Sequence, residues 1–393
     1  MKLLTDRLKQ FLLVLFLIPT ALLAQEEKES KWTVDGYMKS LQTLYLVKLP
    51  FTPTNGQSHL LTDNNLLHNR LNFSRELGGK ASLKFSLRNR FLYGDVGDSE
   101  QLLEQFEAGN DYLDLSLETS ALNYGAQSIL DRLHIDFYLG DWEISLGRQR
   151  INWGISTFWN SNDIFNAFNF TDFDYEERPG SDALLIRKYI GFTSSIEFAI
   201  AGADQWEELK AGFLYRFNKK SYDFQALAGL SNGFLSLGGG WSGAIKQIGF
   251  KGEFNTFSPL LEGDDFAGSV SMEFDYINKN SLYFGAGFLF NSLGQTDQGI
   301  NELLNFQISA QNLYPYKYTV FYSMNQSFSP IFTAGASVIY SAGEAHATFL
   351  SPNFNLSIAQ NWDLGFFSQI VLDKQEKYQS PLKAFFLRIK YSF

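Results

Sequence analysis

From residue 33 to the C-terminus the chain repeatedly alternates apolar and polar positions with a period of two. That is the spacing of a strand with one face toward an apolar medium and the other toward water. Residues 81–91 show it plainly: Ala81, Leu83, Phe85, Leu87 and Phe91 fall on one face, interrupted only by Asn89, and Ser82, Lys84, Ser86, Arg88 and Arg90 on the other. The pattern returns with Phe250 and Phe254 against Lys251, Glu253 and Asn255, with Met272 and Phe274 against Glu273 and Asp275, and with Phe284 and Phe288 against Gly285 and Gly287. A strand that crosses a bilayer needs ~9–11 such residues. Segments of about this length occur near 33–46, 66–77, 80–93, 129–139, 142–150, 183–190, 194–202, 209–217, 221–230, 234–242, 247–257, 268–278, 281–291, 316–327, 331–341, 344–358, 362–372 and 383–393.

The connections alternate too. Tight ones fall at Gly78-Gly79, Gly140-Asp141, 218–221, 278–280, Ser329-Pro330 and Gln360-Asn361, and longer ones at 47–65, 94–128, 151–182, 292–315 and 373–382. Short turns at one end and long loops at the other predict an all-β fold: a transmembrane, antiparallel, up-and-down β-barrel of about 18 strands, or 16 if hairpins between 203 and 245 merge. In the last segment Phe385, Leu387, Ile389, Tyr391 and Phe393 share a face opposite Arg388, Lys390 and Ser392. A soluble protein would expose this edge to aggregation, whereas barrel closure removes it. Ending on Tyr391 and Phe393, the strand resembles the recognition strand read by the barrel-assembly machinery of gram-negative outer membranes.

Composition adds to this picture. The 393 residues include 38 Phe, 19 Tyr and 32 Gly but no Cys, which removes disulfide frameworks and Cys-ligated metals. Lys2, Arg7 and Lys9 precede an apolar run from Phe11 to Leu23, too short to span a bilayer, and Ala24 is a plausible cleavage residue. Residues 1–24 are therefore expected to be a cleaved signal peptide, and 25–393 a single barrel in the outer membrane. Removing that segment, which carries net +2, takes the chain from −10 to −12. No nucleic-acid partner is expected.

One stretch breaks the alternation. Residues 147–189 read GRQRINWGISTFWNSNDIFNAFNFTDFDYEERPGSDALLIRKY, and 151–182 are expected to fold inward as a long loop. Parity counted from Trp142 and Leu146 aims Arg148 and Arg150 at lipid, where a mid-depth cation costs ~2–4 kcal/mol. Either both lie above the apolar band or a bulge at Gly147 turns them into the lumen, and the sequence favours the bulge. The loop's aromatics and amides suit packing against a wet barrel wall, and also stacking on ring faces of a ligand. Asp172, Asp174 and Glu176 alternate as calcium ligands can, but the glycine turn and distant Glu of an EF-hand loop are missing, so no metal or other cofactor is expected.

The signature GRQRINWG…WNSNDIFN…DFDYEERPGSDAL resembles the corresponding region of porin-like outer-membrane proteins, similar in plan to large monomeric barrels that export alginate or admit small nutrients. The resemblance implies Arg148 and Arg150 as wall cations, Trp153 and Trp159 as loop anchors, and Asp172, Asp174 and Arg178 at a constriction. With the residues' own chemistry, the expected pore set is Arg88, Arg90, Arg148, Arg150, Trp153, Trp159, Asn160, Asn162, Asp163, Asp172, Asp174, Arg178 and Glu253. Small polar solutes would pass, with bilayer lipid as the surrounding partner. A non-transport scaffold or surface-interaction protein is the alternative, since loop residues such as Leu102, Leu103, Phe106 and Tyr112 are apolar. No enzyme is expected: GxSxG, HExxH and phosphate-loop motifs are absent, and His134 shares the inner polar face with Arg132, Asp136 and Tyr138.

Overall fold

A computed structural model describes residues 32–49, 59–95, 112–121, 123–166, 177–261, 263, 265–296, 306–374 and 377–393. Among the described residues nineteen strands run in chain order: β1 (Thr33–Lys48), β2 (His59–Leu77), β3 (Ala81–Gly94), β4 (Ser116–Ala121), β5 (Tyr124–Leu139), β6 (Trp142–Gln149), β7 (Ser181–Ile190), β8 (Ser194–Ala201), β9 (Lys210–Lys219), β10 (Tyr222–Ser231), β11 (Phe234–Ile245), β12 (Ile248–Pro259), β13 (Ala267–Ile277), β14 (Leu282–Asn291), β15 (Tyr318–Ser329), β16 (Phe332–Ala342), β17 (Thr348–Ala359), β18 (Trp362–Lys374) and β19 (Tyr378–Ser392). Every strand pairs antiparallel with its neighbour, and β1 pairs with both β2 and β19, which closes the sheet. The seam runs from Tyr37 opposite Ser392 to Val47 opposite Leu382, and Gly36 and Phe393 exchange two backbone hydrogen bonds of 3.0 Å. Eighteen strands form the wall, each matching one alternating segment of the sequence.

The eighteen-strand wall omits β4. Short β6 stops pairing with β5 at Arg148, so the end of β5 that carries the long loops lacks that neighbour. There β4 lies against residues 124–129 of β5 and takes over the ladder. Six residues within a long loop carry too little alternation to announce such a strand.

Alternation sorts the wall as the sequence predicts. Phe213, Tyr322 and Leu146 face outward and are more than half exposed, whereas Glu253, Asn255 and Ser271 face inward and are fully buried. The burial does not come from the wall alone. Three apolar clusters lie on the inner face, where a strand facing only water would carry polar groups. One gathers Leu185, Leu214, Leu227 and Phe257, a second Leu289, Phe321, Ile339, Phe349 and Val371, and a third Leu41, Leu66, Leu92, Phe367 and Phe386. The first two contain side chains from the inward loop.

Candidate pore and its inward loop

After Gln149 the chain turns into the barrel, and residues 152–166 form a flat hairpin along the inner wall. Its outbound limb crosses strands in order. Trp153 Nε1 donates to Glu197 of β8 at 3.1 Å, and Trp153 O accepts from Gln225 of β10 at 2.7 Å. The backbone N–H groups of Ile155 and Ser156 donate to the Glu253 carboxyl of β12, and those of Thr157 and Phe158 to Glu273 of β13 at 2.8–2.9 Å. Phe158 then tilts against Phe321 of β15, with ring centroids 3.6 Å apart.

The return limb runs back nearer the long-loop end. Ser161 O accepts from Asn255 of β12 at 2.9 Å, Asn162 N donates to Glu253 at 3.0 Å, and the Asn162 side chain donates to Gly239 O of β11 at 2.9 Å. Ile164 O accepts from Ser231 of β10, Phe165 O from Lys210 of β9, and Asn166 Oδ1 from Ser181 of β7. Backbone groups that cannot bond to water thus find wall side chains one by one.

Packing requires small residues beneath the hairpin. A Cβ on Gly238 would lie 2.2 Å from Asn162 Oδ1, and one on Gly212 would lie 3.0 Å from the Trp153 ring. The Gly238-Gly239-Gly240 run in β11 is therefore a seat for the loop. A second loop segment, 306–317, adds Leu313, Tyr314 and Tyr316 to the cluster around Trp159, and Gln311 donates to Ser231 O at 3.0 Å. The sequence signalled this only through inner-face positions of β14–β18 that turn apolar.

Trp153 and Trp159 are buried where the hairpin meets the wall, and Asn160, Asn162 and Asp163 are buried in the hairpin. Glu253 latches the loop backbone and does not stand free in the lumen. Arg178 Nη1 pairs with Asp163 Oδ2 at 2.8 Å. Burial pushes the Asp163 carboxyl up to about 6 against the pull of Arg178, and burial also lowers Arg178 against the pull of Asp163. Both shifts say that desolvation outweighs the pair's own attraction. Arg150 is exposed at the loop's start. Asp172 and Asp174 lie outside the described residues.

The wall that faces the loop's far end is basic. Arg70, Arg88 and Arg132 surround Asp131 at 2.6, 2.6 and 3.1 Å, all four nearly buried. Arg88 donates to Glu177 O at 3.3 Å, and Arg132 donates to Arg178 O. Arg90 bonds Gln127 at 3.2 Å. Asp131 and Arg70 were not singled out from sequence. Asp131 is the extra residue of a β-bulge: Ser86 pairs with Arg132 and Leu87 with Leu130, leaving Asp131 without a partner across the ladder.

This bulge corrects the reading of Arg148. Pairing through Gly147 is unbroken on both sides, so β6 has no bulge there. Gly147 has φ +119°, and a Cβ would meet Leu133 O at 2.2 Å, so close backbone approach explains the glycine. Arg148 keeps the outward parity of Leu146 and is not a lumen cation. It bonds the Asp182 carboxylate at 2.8 and 2.9 Å and also donates to Leu113 O, so the segment before β4 covers it. Arg148→Leu should leave ion selectivity unchanged and lower the thermal unfolding midpoint, because Asp182 loses its cation and keeps only the Leu113 N–H at 2.8 Å, at a cost of up to ~3–5 kcal/mol. Arg148→Leu/Asp182→Leu should recover most of that loss. A shifted reversal potential would return Arg148 to the lumen.

His134 joins the inner polar network: its Nδ1 lies 3.2 Å from Arg148 O and its Nε2 3.6 Å from Asp136. Ser145 and Ser82 both donate to Asp136 and not to His134, so the group lacks a nucleophile–base pair. Among the described residues no cluster of three or more His, Asp or Glu is placed to hold a metal.

No protein family and no curated protein sequence matches the chain. Solved structures do. OccAB4 of Acinetobacter baumannii is similar over 93% of this chain and 100% of its own, at 11% identity and a TM-score of 0.57. OccK9 (OpdG) of Pseudomonas aeruginosa is similar over 92% of this chain and 98% of its own, at 10% identity and 0.57. OpdQ of the same organism is similar over 92% of this chain and 97% of its own, at 7% identity and 0.56. At these identities the likeness is one of fold, and the fold is that of these closed barrels.

Proposed function

We propose that the chain is an outer-membrane channel through which small polar solutes pass passively, its bore set by the inward hairpin. The observation that carries this reading is the hairpin itself. A barrel of this strand number is wide enough for water, so selection by size has to come from what narrows it. Here 152–166 are fastened across the inner faces of β7–β15 by side chains specific to the purpose. The outward apolar belt and the likeness to barrels that are outer-membrane porins support placement in the outer membrane. On this reading residues 1–24 are removed on export, and β19, ending at Tyr391 and Phe393, is the strand read during assembly.

Of the expected pore set, Arg88, Arg90, Arg150 and Arg178 remain the charged candidates beside the passage, joined by Arg70 and Arg132, while Asp163 is buried within the hairpin. Wall strands β19, β1, β2 and β3 carry Lys39, Arg70, Arg88, Arg90, Arg388 and Lys390 on their inner faces, a concentration of positive charge that favours anions. Purified protein in liposomes should admit small polar solutes, and planar-bilayer reversal potentials in asymmetric salt should show anion preference. Absence of both flux and ohmic conductance would sink the channel reading. A surface scaffold is the second reading, favoured by the half-exposed Tyr112, Leu113 and Leu117 beside β4, and it predicts bound partners without conductance.

A further inference from the structure

One part of the wall lacks a continuous ladder. β6 pairs with β5 only as far as Arg148 opposite Leu133, and beyond that point β4 lies beside β5 instead. Among the described residues no strand pairing joins β4 to β7, so a gap runs between them toward the long-loop end. In a bilayer the backbone groups along such a gap need partners from side chains. Arg148 supplies them: Nη1 donates to Leu130 O at 3.3 Å, Nη2 donates to Leu113 O, and the guanidinium pairs with Asp182 at 2.8 Å. Leu113 N donates in turn to Asp182 Oδ2 at 2.8 Å, which holds segment 112–115 against the outside of β7. Tyr112 closes over Gly202, where a Cβ would lie 2.8 Å from the ring.

Beside these bonds lies a cavity of about 460 Å³. Leu146, Leu184 and Ile200 stand side by side on β6, β7 and β8 with outward parity, so the cavity opens on the lipid-facing side of the wall. Leu133 of β5 and Leu113 and Leu115 of the overlying segment complete its aliphatic lining. Leu113, Leu133 and Leu146 are each 42–55% exposed, and a void would leave them without contacts on that side. The volume lies within the roughly 300–1,000 Å³ of small-molecule sites. Elsewhere the outer belt presents Phe213, Phe254, Phe274 and Tyr322, yet among the described residues no aromatic side chain lines this cleft. A protein partner's seat would offer aromatic anchors, whereas a flexible hydrocarbon needs only aliphatic walls. The charged groups at the cleft, Arg148 and Asp182, are bonded to each other and leave no counter-charge for a head group. We propose that the cleft binds a single acyl chain of a membrane lipid, held apart from the exchanging lipid around the barrel, which completes the wall along the β4–β7 gap. The cleft is continuous with the apolar belt, so the chain enters it without leaving hydrocarbon. The inference goes beyond the channel reading and does not depend on it, since it requires only that the barrel sits in a bilayer.

The test is photocrosslinking of the full barrel in phosphatidylcholine vesicles doped with a phosphatidylcholine that carries a diazirine in mid-chain. Peptide mass spectrometry locates the adducts. In wild type they should concentrate on Leu113, Leu115, Leu133, Leu146, Leu184 and Ile200, and should saturate at a single adduct per barrel as the probe fraction rises. Ile200→Trp fills the cleft from its own wall, so labelling there should fall severalfold. Tyr322→Trp, on the belt across the barrel, should label the cleft as wild type does. Adducts spread evenly over the belt, or rising in proportion to the probe without saturating, would mean surrounding lipid only and overturn the site. Cleft labelling unchanged in Ile200→Trp would overturn it too. A diazirine fatty acid that labels the cleft where the phospholipid does not would overturn a membrane lipid as the source of the chain. The wild-type map decides the matter by itself if Ile200→Trp fails to fold. Conductance enters none of these outcomes, so a barrel that carries no current leaves the test intact.

Discussion

Asp131→Ala should be among the most destabilising single substitutions in the wall. It removes the carboxylate that pairs with Arg70 and Arg88 at 2.6 Å each and with Arg132 at 3.1 Å. Three guanidiniums, each at most 7% exposed, would then face one another across β2, β3 and β5. Breaking a buried pair from one side costs ~3–5 kcal/mol, because the charge left behind keeps its desolvation without its partner. The bulge compounds the loss, since Asp131 has no cross-strand backbone partner to keep it in place. Thermal or urea unfolding of the folded barrel measures this. A loss below ~1 kcal/mol would mean that other groups already neutralise the arginines. Asp131→Asn should fall between wild type and alanine, because it keeps a hydrogen-bond acceptor and loses the charge.

The second large effect is expected from Glu253→Ala/Glu273→Ala. These two carboxyls accept from five backbone N–H groups, those of Ile155, Ser156, Thr157, Phe158 and Asn162. Each such bond contributes ~1–3 kcal/mol when its loss leaves a buried donor unpaired. Both limbs of the hairpin lose anchors together, so the double variant should release the loop while the barrel stays closed through its β1–β19 seam. The single variants should each release it less. Released, the hairpin no longer fixes the bore, and conductance should rise severalfold with larger current noise.

The wall was legible in the sequence because lipid outside and water inside impose period-two alternation, and every alternating segment became a strand. Even the seam was signalled, by the aromatic face that ends at Phe393. The burial of Trp153 and Trp159 follows a simpler rule, since large aromatics in an irregular stretch need something to bury against. Arg148 was misread because Gly147 was taken for a bulge that flips parity, whereas parity runs through it unbroken. That glycine serves close approach to Leu133, and the true bulge at Asp131 offers no glycine and no break in composition. The three-arginine cluster was missed for the same reason, since its centre lies at a residue that counting would not turn inward. The seat beneath the hairpin was partly visible as Gly238-Gly239-Gly240. Its meaning depended on which loop lies above it, and that is set by tertiary contacts between residues some 80 positions apart, such as Asn162 and Gly239.

The central claim is that a water-filled passage runs through this barrel and that the hairpin narrows it. Single-channel conductance of the purified protein in planar bilayers, compared with Glu253→Ala/Glu273→Ala and with a barrel lacking 155–175, tests it most directly. The structure predicts a small ohmic conductance in wild type and a severalfold larger one in both variants. A wild-type barrel that conducts no ions, or variants whose conductance equals that of wild type, would contradict it.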